Sequence, residues 1–268
     1  MRKAEPAGKQ LRFSCYGVAI VVNVGVGISL ARVRSVLPPA STAITGNPEE
    51  HVFSLLRTER DFKIRGGTSR SATFEKFADA LNALRQRLHL CVAEHVVDHV
   101  FVHAGVVSWY GRAIVCPGVS YAGKSTLIWS LIQAGATYYS DEYAVFDRTG
   151  KVYPFPLPLG RRQPGGRRRT IIIRNAGVKP IGKHLLLFSR YRKDQIWSPT
   201  RLTSAEAVLQ LLKNAPAMRR NPVVVLRTLK KIALRGAAFA GFRGEAKEVL
   251  NWLVLNLRDY RGKTSDIH

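Results

Sequence analysis

Cysteine is scarce in this chain and badly placed for cross-linking. The three cysteines, Cys15, Cys91 and Cys116, are odd in number and none shares a CxxC spacing. That pattern argues against a disulfide framework and against a structural zinc site, and makes a reducing, cytoplasmic setting the expectation. No H-x-E or H-E-x-x-H spacing marks a zinc enzyme. Acidic residues are also few: 18 Asp+Glu face 42 Lys+Arg, a net +24 over 268 residues. Residues 151–268 hold 25 basic and 6 acidic residues, against 17 and 12 in residues 1–150. Such an imbalance points to an anionic partner without choosing among nucleotide phosphates, nucleic acid, a membrane surface and an acidic polypeptide. Only one long uncharged run exists, the 19 residues between Arg12 and Arg32. Branched aliphatics at every even position from Val18 to Ile28 and glycines between them predict two strands with a turn near Asn23–Gly25, not a membrane span. No small-x-small cleavage site follows, so a soluble protein without a signal peptide is expected.

With 46% hydrophobic residues the composition is that of a globular α/β chain. Phe74, Phe77, Leu81, Leu84 and Leu88 recur at helical spacing and predict an amphipathic helix running towards Val97. Apolar runs at Val100–His103 and Ala113–Cys116, with Tyr110-Gly111 between them, predict strands. Tyr143–Phe146 and Val152–Phe155 flank Asp147-Arg148-Thr149-Gly150, a hairpin turn. The stretch 161–169 (RRQPGGRRR) reads as a loop, IIIR and HLLLF as strands. Thr203 to Glu206 forms a capping box; Asn221-Pro222 and Glu245 open two further helices. The expected organisation is one domain, 1–268, with an N-terminal β-rich and helical part (1–98), a core (99–200) and a C-terminal helical part (201–268).

The sharpest motif is Gly118-Val119-Ser120-Tyr121-Ala122-Gly123-Lys124-Ser125, followed by Thr126, which fits the phosphate-binding loop G-x-x-x-x-G-K-[ST]. Glycines let the backbone curl so that its N–H groups face phosphates at the positive end of the next helix. Lys124, expected to be exposed, would reach the β/γ-phosphates, and Ser125 would ligate Mg²⁺. A strand before and a glycine-closed helix after (to Gly135) separate this from a chance glycine turn. Asp141-Glu142 follows the next strand: one carboxylate could hold the metal while the other accepts a hydroxyl proton. Taken singly, the pair reads more readily as a solvated turn, since adjacent carboxylates are common on surfaces. His103 ends the strand at Val100–Val102, and by itself, like His95 and His99, it reads as a structural residue.

Together, His103, the loop at 118–125 and the carboxylates at 141–142 follow the order seen in HPr kinase/phosphorylase-like proteins. The block FVHAGVVSWYGRAIVCPGVSYAGKSTLIWSLIQAGATYYSDEYAVF resembles that family over roughly residues 95–160. The resemblance implies an α/β fold with a P-loop-containing core similar to that of phosphoenolpyruvate carboxykinase, an N-terminal β-rich elaboration and C-terminal helices. It implies ATP and Mg²⁺ as cofactors, His103 and Lys124 as active-site residues, Ser125 and Asp141 at the metal, and a base within Asp141-Glu142. The family's second aspartate is Glu142 here, and its later glutamate signature is absent, since no acidic residue lies between Lys151 and Lys193. The layout is therefore closer to divergent members, some of which are serine kinases that tailor lasso-peptide precursors. A true HPr kinase/phosphorylase is the runner-up, and a nucleotide-gated nucleic-acid-binding module is the alternative of another class. No helix-turn-helix, RRM or zinc signature favours nucleic acid. The implied partner is a small protein or peptide carrying the acceptor serine, with self-association left open. Most of Arg161, Arg162, Arg167, Arg168 and Arg169 read as a solvated loop; Arg161 or Arg162, directly after the PFPLPL segment, is the better candidate to contact phosphate or substrate.

Overall fold

The computed structural model describes residues 8–46, 51–118, 123–162 and 168–258, and divides the chain into two compact units, Met1–Asp98 and His99–His268. The boundary coincides with the end of the expected N-terminal part. Residues expected as a core and as a C-terminal helical part share one sheet.

The first unit holds strands β1 (Lys9–Cys15), β2 (Val18–Val24), β3 (Thr42–Ala43), β4 (His51–Arg57), β5 (Phe62–Gly66) and β6 (Ala72–Phe74), with helices α1 (Leu30–Arg34) and α2 (Phe77–His95). The strands form a sheet in the order β3-β1-β2-β4-β5-β6. The expected hairpin is real, but its turn is at Tyr16-Gly17, where φ is 50° and 81°, and not at Asn23–Gly25. Two consecutive left-handed residues match the twist of a two-residue hairpin, whereas the chain after Val24 leaves the sheet. The alternation in β2 does not separate an inner from an outer face, because Val18 to Val22 are all buried. Helix α2 starts at Phe77, three residues later than its pattern suggests, because Phe74 pairs with Phe62 in the sheet. Leu81, Leu84 and Leu88 form its buried stripe as expected.

In the second unit come β7 (His99–Trp109), β8 (Arg112–Pro117), α3 (Lys124–Gln133), β9 (Thr137–Ser140), β10 (Tyr143–Asp147), β11 (Val152–Tyr153), β12 (Leu159–Arg162), β13 (Arg168–Ile171), β14 (His184–Tyr191), β15 (Thr200–Arg201), α4 (Ser204–Leu212), α5 (Pro222–Arg235), β16 (Ala237–Arg243) and α6 (Ala246–Arg258). The main sheet runs β11-β10-β7-β8-β14-β16-β15, with β9 also on β7. Strands β8, β14 and β16 are mutually parallel, and the others are antiparallel to their neighbours. Alternate residues serve two cores. Val100, Val102, Ala104 and Val106 of β7 pack with Leu211 of α4 and Leu229 and Ile232 of α5. Val107 and Trp109 pack with Leu127, Ile128 and Leu131 of α3 and Val249 and Leu253 of α6. The sheet is thus sandwiched between two helical layers, an α/β arrangement.

Thr203 accepts from the backbone of Glu206 and Glu206 returns the bond, completing the expected capping box; Asn221 caps α5 ahead of Pro222. Two expectations change. Residues 161–169 are not wholly a loop, because Arg161 and Arg162 pair with Arg169 and Arg168 across β12 and β13. The run IIIR contributes only Ile171 to a strand; Ile172 is 76% exposed. No helix among the described residues is long and apolar enough to cross a membrane, and the 19-residue run is divided among β1, β2 and α1.

Candidate functional site

Three parallel strands, β8, β14 and β16, end on the same side of the sheet, and the glycine-rich segment leaves the end of β8. In open α/β sheets that carboxyl edge is where ligands bind. Of the segment, Gly118 and Gly123 to Thr126 are described; Val119, Ser120, Tyr121 and Ala122 lie outside the described residues. Gly123 has φ +80°, and a Cβ there would stand 2.7 Å from a guanidinium nitrogen of Arg243 and 3.2 Å from Tyr191 Cβ. The position therefore requires glycine twice over, for conformation and for space.

Helix α3 begins immediately at Lys124, so its first N–H groups and its positive dipole end face the same edge. The ammonium of Lys124 donates to the Gly118 carbonyl over 2.6 Å. At 8% exposure it is buried, contrary to the expectation of an exposed lysine. Burial lowers its pKa, while the Asp141 carboxylate opposes that shift. Sequence spacing could not anticipate this, because the lysine side chain reaches back to the Gly118 carbonyl six residues before it.

Asp141 and Glu142 owe their position to a break in a strand. β9 and β10 lie in line along β7, the first opposite Val106 to Ser108 and the second opposite His99 to His103. The pairing shifts register within β9, where Ser140 lies opposite Val106 but Tyr138 opposite Val107; beyond it Glu142 O accepts from Ala104 N, and the buried Ser140 hydroxyl accepts from the N–H groups of Glu142 and Tyr143. Bulges of this kind redirect side chains. Here the Asp141 carboxylate is brought to the Ser125 hydroxyl, which donates to Oδ2 over 2.7 Å. Gly105 of β7 makes room: a Cβ on it would sit 2.5 Å from Ile128 Cγ1 of α3 and 3.7 Å from Asp141 Oδ1.

His103 closes the other side. Its Nδ1 is 2.9 Å from the Gly118 carbonyl, and Gly118 N donates to His103 O. Burial, with the Lys124 charge adding to it, holds the His103 pKa below its ordinary value, although Gly118 and Glu142 pull the other way. The ring is therefore neutral near pH 7, with Nδ1–H free to donate to Gly118. His103, Lys124, Ser125, Asp141 and Glu142 thus belong to one constellation. Thr126 follows on α3. Arg161 and Arg162 lie on β12, which packs against α3; their side chains lie outside the described residues.

Two residues of this edge escaped sequence reasoning. Arg243, the last residue of β16, is 2% exposed; it donates to Gly123 O over 2.7 Å and to Gly244 O. It lies 120 positions from the loop it holds, and in sequence it is one arginine among many. Cys116 faces Lys124 and Arg243, yet burial pushes its thiol up to about 12, which leaves it neither a nucleophile nor a ready ligand. Hydroxyl and carboxylate oxygens side by side at Ser125 and Asp141 are hard donors suited to Mg²⁺, which takes few protein ligands beside phosphate and water. A cationic amine, helix N–H groups and a hard-metal corner together suit a polyphosphate. No protein-family model matches the chain, and no curated protein matches it.

Proposed function

We propose that the chain is an ATP- and Mg²⁺-dependent phosphotransferase that phosphorylates a serine hydroxyl of a small protein or peptide. The observation that carries this reading is the bond from Ser125 to Asp141 beside the buried Lys124, three residues contributed by two separate segments. A chance glycine turn would have no reason to meet a carboxylate from a broken strand. In this reading the residues of 118–126 bind the phosphates through backbone N–H groups and Lys124. Ser125 and Asp141 would hold Mg²⁺, whose charge offsets that developing on the transferred phosphoryl group. His103 and Arg243 position the loop through the carbonyls of Gly118 and Gly123. With Asp141 turned to Ser125, Glu142 becomes the candidate to accept the serine proton. It is close enough to His103 and Lys124 to act on both electrostatically.

Support for the narrower assignment, a kinase of the HPr kinase-like type acting on a lasso-peptide precursor, comes from the sequence resemblance. The basic second unit is compatible with an acidic acceptor. Transfer of label from γ-labelled ATP to serine-containing peptides and proteins, with and without Mg²⁺, tests the proposal. Mg²⁺-dependent phosphoserine is the expected product. Nucleotide binding without transfer to any hydroxyl, together with salt-sensitive binding to DNA, would favour a nucleic-acid-binding module instead.

A further inference from the structure

Outside the phosphate-binding edge, a second group of potential metal donors lies wholly within the first unit. Cys91 and His95 are one helical turn apart on α2, so both project from the same face. His51 is the first residue of β4, against which α2 packs. One donor atom from each of the three lies within 4.8 Å of the others. The Cys91 sulfur is 3.8 Å from His95 Nδ1, and the imidazole rings of His51 and His95 are 4.0 Å apart, centroid to centroid.

We propose that His51, Cys91 and His95 form a binding site for zinc. Metal–ligand bonds of about 2.0 Å to nitrogen and 2.3 Å to sulfur set tetrahedral ligand separations of roughly 3.3–3.8 Å. The Cys91–His95 spacing already matches that, and the remaining contraction needs only side-chain rotation. A thiolate with two imidazoles is a borderline-soft set that suits zinc and excludes Mg²⁺ or Ca²⁺ as the preferred ion. Cys91 is buried, whereas both histidines are only half-buried, which leaves the ion a path from solvent. Position adds a further favourable factor: Cys91 and His95 occupy the last turns of α2, where the helix dipole stabilises a cation. His95 Nδ1 is 2.8 Å from the Cys91 carbonyl oxygen. Ligation through Nδ1, the ring nitrogen whose spacing to the Cys91 sulfur matches, exchanges this hydrogen bond for the metal bond. Binding converts the Cys91 thiol to a thiolate and releases its proton to solvent, and three protein ligands leave a fourth position for water.

Such a site would tie the end of α2 to the start of β4, across 40 residues of sequence. That separation is why neither cysteine spacing nor a histidine motif marks it.

Cobalt titration of the full chain, stripped of metal by chelator and without nucleotide, tests the site. One equivalent should produce tetrahedral d–d bands and a thiolate-to-cobalt charge-transfer band, all removed by zinc. Cys91→Ser should abolish the charge-transfer band, and Cys116→Ala should retain it. His51→Gln and His95→Gln, at half-buried positions where folding is expected to survive, should each weaken affinity at least roughly tenfold. At equal zinc concentration the melting temperature of the original chain should rise by more than that of folded His51→Gln. No charge-transfer band, or one that survives Cys91→Ser, would overturn the proposal.

Discussion

Lys124 does two jobs that pull in opposite directions. As a buried ammonium it is disfavoured by desolvation, and it is kept charged by the Gly118 carbonyl and the nearby carboxylates. Lys124→Ala removes both the penalty and the compensation, so the fold should survive. Phosphoryl transfer should fall by roughly 10²–10³-fold, the scale for losing one preorganised electrostatic contact. Circular dichroism and label transfer together check this, and a folded variant with near-normal turnover refutes the nucleotide site. The carboxylates separate by direction. Asp141→Asn keeps an oxygen for the Ser125 hydroxyl but loses the charge, so Mg²⁺-dependent ATP affinity and turnover should both drop. Glu142→Gln keeps the shape and cannot take a proton, so turnover should fall steeply at unchanged ATP affinity. Kinetics of the two variants across Mg²⁺ concentrations distinguish the roles, and reversed phenotypes would exchange them.

At the scale of elements, the site depends on how closely α3 lies on β7. Gly105 removes the side chain that would hold them apart, and Ile128 fills the space. Gly105→Ala should destabilise the protein by about 1–3 kcal/mol, the usual cost of overpacking a core. It should also lower transfer activity, because the same displacement carries Ser125 away from Asp141. Urea unfolding of Gly105→Ala, Ile128→Ala and the double variant tests the cause. The double variant should lose less than the sum of the singles, since removing the isoleucine branches relieves the clash. Simple additivity would mean that the approach of helix and strand is set elsewhere. The bulge within β9 is the other device: without the extra residue between Tyr138 and Ser140, the strand period of two would turn Asp141 to the opposite face.

For the whole molecule, two histidines of the second unit, the half-buried His103 and the buried His184, tie stability to pH. Burial lowers the pKa of His103, with Lys124 adding to it, and lowers that of His184, which is 1% exposed with Nε2 2.8 Å from the Ile232 carbonyl oxygen. Each binds a proton more readily in the unfolded chain than in the folded one. Their contribution is therefore fully present above the unfolded value, near 6.5, and is lost as pH falls from there through the folded values. Denaturant unfolding between pH 8 and 5 should show stability declining on the acid side. His103→Gln should make that decline shallower, whatever its effect on stability at pH 8. An unchanged slope in this variant would mean that His103 titrates alike in both states.

Residue order alone determined the local structure where one short-range force dominates. The stripe of α2, the Thr203–Glu206 box, the Asn221-Pro222 start and the Tyr110-Gly111 and Asp147–Gly150 turns all depend on neighbours within a few positions. The sequence also marked the candidate site, since the glycines, Lys124 and Ser125 form a contiguous signal and Asp141-Glu142 follows at the next strand. Tertiary structure decided what local signals leave degenerate. The first hairpin turns at Tyr16-Gly17 because β2 must reach β4, although Asn23–Gly25 has equally good turn chemistry. The arginine-rich stretch has β-paired arms because Leu159 and Ile171 face each other across β12 and β13. Burial of Lys124, the aim of Asp141, the hold of Arg243 on Gly123 and the meeting of His51 with Cys91 and His95 all join segments remote in sequence. Their distances are set by how strands and helices pack, and packing is a property of the whole chain that no window of residues contains.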